Sequence, residues 1–304
     1  MSIKHKPSLV ILAAGMGSRY GGLKQIDGVG PSEEAIIDFS IYDAIRAGFG
    51  KVIFVIRRDI EDAFKKAVSN KWKNKIEVVH VFQEMDLAVP TLPADAPDRL
   101  KPWGTAHAVL AARPAVEEPF AVINADDYYG IGGYQKMADF LNNTCTPRHM
   151  SMLGYVIGRT LSDYGSVSRG VCSMDENNAL TTVTERHKVR RENGQILFTE
   201  NEKDSPLTEQ NLVSMNYWGF YPTLMDIIHD DFQKYALANY QNPKSEFYIP
   251  LVINRMINED GLNLEVIPND DQWYGVTYKE DKPIVQKAMK GLVDAGKYVS
   301  PVWK

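Results

Sequence analysis

A short apolar run followed at once by a glycine-rich, cationic loop is the feature that most constrains this chain. The run LVIL at residues 9–12 leads into LAAGMGSRYGGLKQ at residues 12–25, which contains Arg19 and Lys24. Glycines let the backbone turn tightly and direct successive N–H groups at phosphate oxygens, and the two cations neutralise further charge. The sequence therefore predicts a triphosphate-binding loop at the carboxyl end of a buried strand.

Two better-known glycine-rich loops fit this segment poorly. The dinucleotide fingerprint G-x-G-x-x-G requires its third glycine where Tyr20 stands. A Walker motif can start at Gly17 and reach Gly22, but Leu23 occupies the lysine position, and no Ser or Thr follows Lys24 to hold magnesium. A dehydrogenase and a P-loop ATPase are both disfavoured.

Charge and cysteine content narrow the class of protein further. The 304 residues carry a formal net charge of −5, which argues against a nucleic-acid partner, since binding a phosphate backbone requires a clustered basic excess. Cys145 and Cys172 are too few for a disulfide framework and lack metal-ligand spacing. With neither a signal-peptide core nor an apolar run of bilayer length, the sequence favours a cytoplasmic protein without a membrane partner.

Strand-like and helical patterns alternate through the first half of the chain, which predicts a parallel sheet wrapped by helices. The runs at residues 52–56, 78–82 and 120–123 are typical of buried strands. Apolar residues at helical spacing within residues 36–45 predict a helix that ends before Gly48, and a second helical pattern follows the expected cap Asp59. Residues 86–102, rich in Pro and Asp and without periodicity, predict either a loop or flap near the nucleotide or a plain surface insertion.

The loop at residues 12–25 resembles the signature of the sugar-nucleotide pyrophosphorylases, a nucleotidyltransferase family. That signature has the form L-A-A-G-x-G-[ST]-R and ends in a lysine that usually follows proline, where this chain has Leu23. The resemblance implies that Arg19 and Lys24 are catalytic, with Arg19 holding the departing pyrophosphate and Lys24 the α-phosphate region. It further implies that the nucleotide is bound by Leu12, Ala13, Gly15, Gly17 and Ser18.

The same resemblance implies a fold and a division of the chain. The expected fold class is α/β, with a Rossmann-like, mostly parallel sheet flanked by helices and a C-terminal mixed α+β sugar-binding lobe. Residues 1–150 would bind the nucleotide and residues 151–304 the acceptor, within one continuous domain.

A second segment, WGTAHAVLAA at residues 103–112, places Gly104 and Thr105 at the start of an alanine-rich helix. A helix start offers unpaired N–H donors, and the segment resembles the family's G-T-A-x-A motif beside the base and ribose. A well-packed helix is the alternative, and His107 is interpreted as structural. Gln83 resembles the glutamine that hydrogen-bonds the base, with a surface glutamine as the competing interpretation.

A third segment, VINADDY at residues 122–128, ends a hydrophobic strand in two carboxylates at the edge where α/β proteins bind ligands. Mg²⁺ prefers hard oxygens and bridges protein to substrate phosphates, so we predict Asp126 as a catalytic metal ligand. By resemblance Asp126 matches the family's metal aspartate, whereas Asp127 falls on a variable polar position. A cap or turn is the alternative.

The second half carries the residues that the resemblance assigns to the sugar phosphate. Gly165 lies in a segment similar to the family's Y-G-V-V strand, and Glu185 and Arg186 lie in one similar to V-x-E-K-P. Glu185 would accept hydrogen bonds from sugar hydroxyls, and Arg186, or Lys188 in its place, would bind the acceptor phosphate. Asn216 lies in a segment similar to N-x-G-x-Y with one extra residue, or alternatively in an aromatic core strand.

The largest departure from the family is Gly275. The segment WYGVTYKED at residues 273–281 resembles W-x-D-x-G-T-x-E-D, with Gly275 in place of the second metal aspartate. Three outcomes follow: Asp270 or Asp271 reaches the ion, Asp126 holds it with phosphates and water, or catalysis is impaired.

The sequence thus predicts an Mg²⁺-dependent enzyme that transfers a nucleoside monophosphate from a nucleoside triphosphate to a sugar 1-phosphate and releases pyrophosphate. Two alternatives stay open. One is a cytidylyltransferase acting on a phospho-alcohol, and the other is a nucleotide-binding regulator that has lost catalysis. A homo-oligomer is compatible with the sequence.

Overall fold

Strands and helices alternate through the first half of the chain, as the sequence predicts. The computed structural model describes residues 6–15 and 24–304, apart from the side chain of Lys24. In chain order the elements are β1 (Ser8–Leu12), α1 (Ile36–Ala47), β2 (Lys51–Ile56), α2 (Glu61–Phe64), α3 (Asn70–Trp72), β3 (Glu77–Phe82), α4 (Thr105–Leu110), β4 (Phe120–Asn124), β5 (Asp127–Tyr128) and α5 (Ile131–Asn143). Strand β1 pairs in parallel with β2 and β4, and β2 pairs in parallel with β3.

The second half adds antiparallel strands to the same sheet. Its elements are β6 (His149–Val156), β7 (Val167–Met174), β8 (Leu180–Glu192), β9 (Gln195–Glu200), β10 (Lys203–Leu207), β11 (Leu212–Phe220), α6 (Leu224–Asn239), α7 (Ile249–Asp260), β12 (Asn263–Asn269), β13 (Tyr274–Gly275) and α8 (Lys282–Asp294). Strand β11 pairs antiparallel with β4, β6 and β7 and so joins the two halves. Within the described residues the sheet has 11 strands, with the main path β10-β9-β8-β7-β11-β4-β1-β2-β3.

Both faces of the sheet are covered, which places apolar cores on either side. Along β1, Leu9 and Ile11 join the core that includes α1 and α5, while Val10 joins the core that includes α4, α6 and α7. This alternation follows from the two-residue period of a strand. Each such fully buried side chain stabilises the fold by about 1.5–3 kcal/mol. The result is the predicted α/β class.

Two local predictions are wrong. Strand β3 is half-exposed rather than buried, because it lies at the edge of the sheet with β2 as its neighbour. Asp59 does not cap a helix: its carboxylate accepts hydrogen bonds from Arg57 at 2.9 Å, and the helical region continues from α2 through a π-helical turn, Lys65–Ser69, into α3. The helix α1, in contrast, ends as expected at Gly48, which has a φ of 94°.

Neither thiol is reactive in this fold. Cys145 and Cys172 are both unpaired, and burial raises the pKa of each to about 12. Among the described residues, no helix is both long and apolar enough to cross a bilayer.

Candidate functional site

The predicted nucleotide-binding residues of β1 lie at the carboxyl edge of the parallel strands. Leu12 is in register with Asn124 of β4, and the N–H of Ala13 donates to the carbonyl of Val55 at 2.8 Å. Parallel strands end at a common edge, which is where α/β proteins bind ligands. The predicted residues that follow β1, β3 and β4 at this edge are Gly15, Gln83 and Asp126.

Gln25 connects the two described ends of the glycine-rich loop. Its Nε2 donates to the carbonyl of Gly15 at 2.8 Å, and the side chain is buried. Its Oε1 has no hydrogen-bond partner among the described residues. The predicted phosphate ligands Gly17, Ser18 and Arg19, and the side chain of Lys24, lie outside the described residues, so their roles stay predictions.

Gln83 is held in one orientation by the start of α4. Its Nε2 donates to the carbonyl of Gly104 at 3.1 Å and lies 3.3 Å from Nδ1 of His107. His107 Nε2 lies 2.9 Å from the carbonyl of Leu87 and must donate there, so Nδ1 of the neutral ring accepts. Burial lowers the pKa of His107 to about 4, which keeps the ring neutral. The contacts of His107 therefore fix the orientation of the Gln83 side chain.

The start of α4 is bound to the segment that precedes α7, a contact that sequence reasoning missed. Gly104 has a φ of 106°, and a Cβ on it would lie 2.7 Å from the carbonyl oxygen of Phe247, so only glycine fits. The N–H of Ala106 donates to that carbonyl at 3.0 Å, and Thr105 Oγ1 accepts from the N–H of Ile249 at 3.2 Å. The expectation of an unpaired donor is therefore wrong at Ala106.

The insertion at residues 86–102 packs onto the second half of the chain. Arg99 Nη2 donates to the carbonyl of Ser245 at 2.6 Å, and Gln233 donates to the carbonyl of Ala88. Through Leu87 the insertion also contacts His107. The insertion is a loop, as predicted, and it contacts the pair that orients Gln83.

A chain of side-chain hydrogen bonds leads to Asp127, beside the predicted metal ligand Asp126. Trp218 Nε1 donates to Asn216 Oδ1, Asn216 Nδ2 donates to Asn124 Oδ1, each at 2.8 Å, and Asn124 Nδ2 donates to Asp127 Oδ2 at 2.9 Å. We call these four residues the amide relay. It starts at an obligatory donor and ends at an obligatory acceptor, so both amides have a single orientation.

Asn216, predicted to contact the sugar, therefore uses both amide atoms within the protein. It adopts a φ of 64° where the register of β11 against β6 shifts between residues 214 and 218. Asn tolerates this left-handed conformation better than most residues. The irregular strand brings the amide of Asn216 to the end of β4.

Glu185 lies on β8 directly opposite Gly170 of β7, and a Cβ on that glycine would lie 3.8 Å from Glu185 Oε2. Desolvation raises the pKa of Glu185, while His187 and Arg169 lower it. The side chain is exposed on β8, so it is accessible as a hydrogen-bond acceptor for an alcohol.

Arg169 is a buried cation that sequence reasoning missed, because its partners are distant in sequence. It is 8% exposed, its Nε donates to the carbonyl of Thr160 at 3.1 Å, and its guanidinium lies 5.0 Å from the ring centroid of Trp273. Burial lowers the pKa of Arg169 to about 10, and the charges of Asp127 and Glu185 raise it. Its charge therefore acts on both parts of the predicted site.

The remaining acceptor-site predictions fall on β8 and the loop before β7. Arg186 Nη1 donates to Glu200 Oε1 at 2.6 Å, so its charge is already paired. Lys188 is exposed and has a φ of 53°. Gly165 packs against Tyr278, since a Cβ on Gly165 would lie 2.7 Å from the Tyr278 hydroxyl.

The donor atoms near Asp126 fit a magnesium ion. Among the described residues no group of three or more His, Cys, Asp or Glu side chains could hold a metal. Mg²⁺ commonly takes only one or two carboxylates from the protein and completes its coordination with phosphates and water. The adjacent Asp126 and Asp127 could supply these carboxylates. Asp271, considered as a substitute ligand, is used elsewhere: its Oδ2 accepts from the N–H of Gly133 at 2.9 Å, at the start of α5.

A sheet of this order, with Gly15, Gln83 and Asp126 following β1, β3 and β4 at one edge, is typical of α/β enzymes that bind nucleotides. The family model for nucleotidyl transferases matches residues 8–276. The chain belongs to this family and is a nucleotidyltransferase, and members of the family generally use divalent metal ions.

Solved structures share the fold. An inositol-1-phosphate CTP transferase from T. maritima has a TM-score of 0.60 at 12% identity, covering 95% of this chain and 98% of that one. A Bacillus anthracis protein assigned as a glucose-1-phosphate thymidylyltransferase has a TM-score of 0.63 at 12% identity, covering 93% and 95%. A UDP-glucose pyrophosphorylase from Acinetobacter has a TM-score of 0.59 at 15% identity, covering 94% of each chain. No curated protein sequence matches this chain.

Proposed function

We propose that this nucleotidyltransferase joins a nucleoside monophosphate from a nucleoside triphosphate to a sugar 1-phosphate. The observation that carries the proposal is the contact of Gln83 with Gly104, 3.1 Å between Nε2 and the carbonyl oxygen, at the same sheet edge as Asp126. The contact joins the predicted base-binding residue to the predicted ribose-binding motif, at the sheet edge that also carries the predicted metal ligand.

In the proposed reaction an oxygen of the acceptor phosphate attacks the α-phosphorus in line. A new P–O bond forms, the bond from the α-phosphorus to the bridging oxygen breaks, and pyrophosphate leaves with that electron pair. This chemistry needs positioning and charge neutralisation rather than a covalent enzyme intermediate. We assign Arg19 to the departing pyrophosphate and Lys24 to the α-phosphate region. Mg²⁺ held by Asp126 would supply further positive charge to the phosphate oxygens.

On the nucleotide side, the fixed orientation of Gln83 has a chemical consequence. Both neighbours, the Gly104 carbonyl and His107 Nδ1, are acceptors, so they retain the amide nitrogen of Gln83 and leave Oε1 directed elsewhere. We propose that Oε1 accepts a hydrogen bond from an N–H group of the base. Gly104 and Thr105 would lie against the ribose.

On the acceptor side, Glu185 would accept hydrogen bonds from sugar hydroxyls, and Gly165 and Asn216 are proposed to contact the same sugar phosphate. Arg186 would bind the acceptor phosphate after leaving Glu200, an exposed pair at 2.6 Å that costs only about 0–1 kcal/mol to break. Lys188 is the second candidate for the same task. The unreactive thiols of Cys145 and Cys172 support a reducing cytoplasm as the location.

One alternative acceptor has specific support. The inositol-1-phosphate CTP transferase shares the fold over 95% of this chain, so the length of the second half does not exclude a phospho-alcohol acceptor. CTP with phospho-alcohols therefore belongs in the same assay.

The proposal is tested by measuring pyrophosphate release with each nucleoside triphosphate, Mg²⁺ and a panel of sugar phosphates and phospho-alcohols. We expect turnover with a sugar 1-phosphate, and its near-complete loss in Lys24→Ala and Asp126→Ala, but not in the exposed control Lys234→Ala. Near-native pyrophosphate release by both variants would show that the roles are wrongly assigned. Nucleotide binding without turnover on any acceptor would support a regulator instead.

A further inference from the structure

Asp127 and Gly275 lie directly opposite each other. Strands β5 and β13 form an antiparallel pair in which Gly275 is in register with Asp127 and Tyr274 with Tyr128. Directly opposed residues of an antiparallel pair place their side chains on the same face. A side chain at position 275 would therefore leave the backbone on the side where the Asp127 carboxylate lies.

The space for a side chain at position 275 is already filled. A Cβ built on Gly275 would lie 2.8 Å from Asp127 Oδ1 and would clash with Cζ2 and Cη2 of the Trp273 indole. No backbone torsion requires glycine here, since Gly275 is not among the residues with positive φ. Glycine is needed at position 275 because the Asp127 carboxylate and the Trp273 ring fill the volume that a side chain would take.

Asp127 is held with Oδ1 toward this space. Its other oxygen, Oδ2, accepts a hydrogen bond from Asn124 Nδ2 at 2.9 Å. The amide relay fixes Asn124 in turn. The hydrogen bond from Asn124 gives the Asp127 carboxylate a defined direction.

The indole N–H of Trp273 lies next to the same place. Trp273 is 6% exposed, and its Nε1 has no hydrogen-bond acceptor among the described residues. Nε1 is joined through one ring carbon to Cζ2, the atom that a Cβ on Gly275 would meet. A buried indole N–H normally has an acceptor, such as a ligand oxygen or an ordered water.

The other acidic side chains of the 270–281 segment have different tasks. Asp271 accepts from the N–H of Gly133 at 2.9 Å, and Asp281 accepts from the N–H groups of Thr277 at 3.0 Å and Tyr278 at 2.7 Å. Asp270 is exposed. Glu280 is exposed as well, and none of these four lies opposite β5 as Gly275 does.

We propose that Asp127 supplies the second carboxylate of the metal site, from the opposing strand, in the place of the aspartate absent at position 275. Consecutive residues, Asp126 and Asp127, would then bind Mg²⁺, and glycine at 275 would be the condition for it. The inference rests on the proposed function, because it concerns the metal of the same site.

The test is Mn²⁺ binding, followed by electron paramagnetic resonance as the loss of the free-ion signal, to the protein alone and with inorganic pyrophosphate. We expect Asp127→Asn and Asp126→Asn each to weaken binding about 10- to 100-fold, a loss that perturbing even a ligand's support can cause. The control Asp139→Asn, an exposed acid on α5, should bind within about twofold of wild type. Wild-type affinity in Asp127→Asn, or no Mn²⁺ binding by the wild type, would overturn the proposal.

A competing explanation is that Asp127 serves only as a counter-charge for Arg169, and that explanation requires unchanged Mn²⁺ affinity in Asp127→Asn. Circular dichroism would check the fold of this variant. If it does not fold, Asn124→Ala takes its place, because it leaves both carboxylates and the net charge unchanged while removing the support of Oδ2. We expect binding about tenfold weaker, and unchanged affinity would contradict the proposal.

The two proposals fail separately. Mn²⁺ binding does not require turnover, so Asp127-dependent binding without pyrophosphate release on any acceptor would overturn the proposed function alone. Turnover together with wild-type Mn²⁺ affinity in Asp127→Asn would overturn this inference alone.

Discussion

Tyr298 donates a hydrogen bond to Asp43, with 2.5 Å between the hydroxyl and Oδ2, and its hydroxyl also lies 2.8 Å from that of Tyr128. All three side chains are buried. Burial raises the pKa of Asp43 to about 7, although the bond from Tyr298 lowers it. Tyr128 follows Asp127 in β5. The hydrogen bond between the Tyr298 and Tyr128 hydroxyl groups therefore links the segment after α8 to the strand that carries the candidate metal ligand.

This burial predicts how stability depends on pH at Asp43. Folding raises the pKa of Asp43 to about 7. The contribution of Asp43 to the free energy of unfolding is therefore full below the pKa that Asp43 has in the unfolded chain, and it is lost as pH rises through about 7. From pH 6 to pH 9 the wild type should therefore lose about 1 kcal/mol relative to Asp43→Asn. Urea unfolding across this range measures the difference. The exposed control Asp139→Asn should follow the wild-type profile, and parallel profiles for Asp43→Asn would contradict the prediction.

His107 predicts a dependence of the opposite sign. Its pKa falls to about 4 in the folded state, so the unfolded chain takes up the proton first and stability is lost as pH falls below about 6.5. Between pH 7 and pH 5 the wild type should lose about 2 kcal/mol relative to His107→Gln. Because Asp43 gains a similar amount over this range, the comparison with the variant, and not the wild-type curve alone, is decisive. His229→Gln, at the surface, is the control and should show no such difference.

Breaking the amide relay should destabilise the protein in two separable ways. Asn216→Ala leaves Trp218 Nε1 and Asn124 Oδ1 without their partner, at a cost of about 1–3 kcal/mol. It also forces a Cβ-bearing residue without a polar side chain into a φ of 64°. Asn216→Gly removes the amide but tolerates the torsion, so it should be more stable than Asn216→Ala by up to about 1 kcal/mol. Thermal and urea unfolding of both variants measure the two terms, and equal stability of Asn216→Ala and wild type would refute the role of the relay.

Two glycine-to-alanine substitutions should have opposite effects. Gly275→Ala forces its methyl group into Trp273 and Asp127 and should destabilise the fold by about 1–3 kcal/mol. Gly291 lies within α8, and a Cβ there would meet no atom within 4 Å, so Gly291→Ala should stabilise by about 0.5–1 kcal/mol. Differential scanning calorimetry distinguishes the two signs. A neutral Gly275→Ala would mean that the packing around β13 gives way more easily than its contacts indicate.

The sequence anticipates the elements whose signal is local. Runs of apolar, β-branched residues identify β1, β2 and β4, and helical spacing followed by Gly48 identifies α1. Strand β10 escapes prediction because its sequence, KDSPL, contains a proline and two charges and is suited only to an edge position. The amide relay could not be predicted for another reason. Asn124 and Asn216 are 92 residues apart, and the local sequence around each residue gives no signal of their contact. The cation Arg169 is hidden in the same way.

The pairing of β4 with β11 has a consequence for motion. Trp218, Gly219 and Phe220 are in register with Val122, Ala121 and Phe120, so β4, the strand before the Asp126 turn, is paired directly with a strand of the second half of the chain. An enzyme made of two hinged lobes closes over its substrates by rotating one lobe, but here a hinge would have to break the ladder between β4 and β11. We therefore expect the sheet beneath the proposed substrate sites to be rigid. Substrate binding and product release would then depend on the loops at the edge of the sheet, among them residues 86–102.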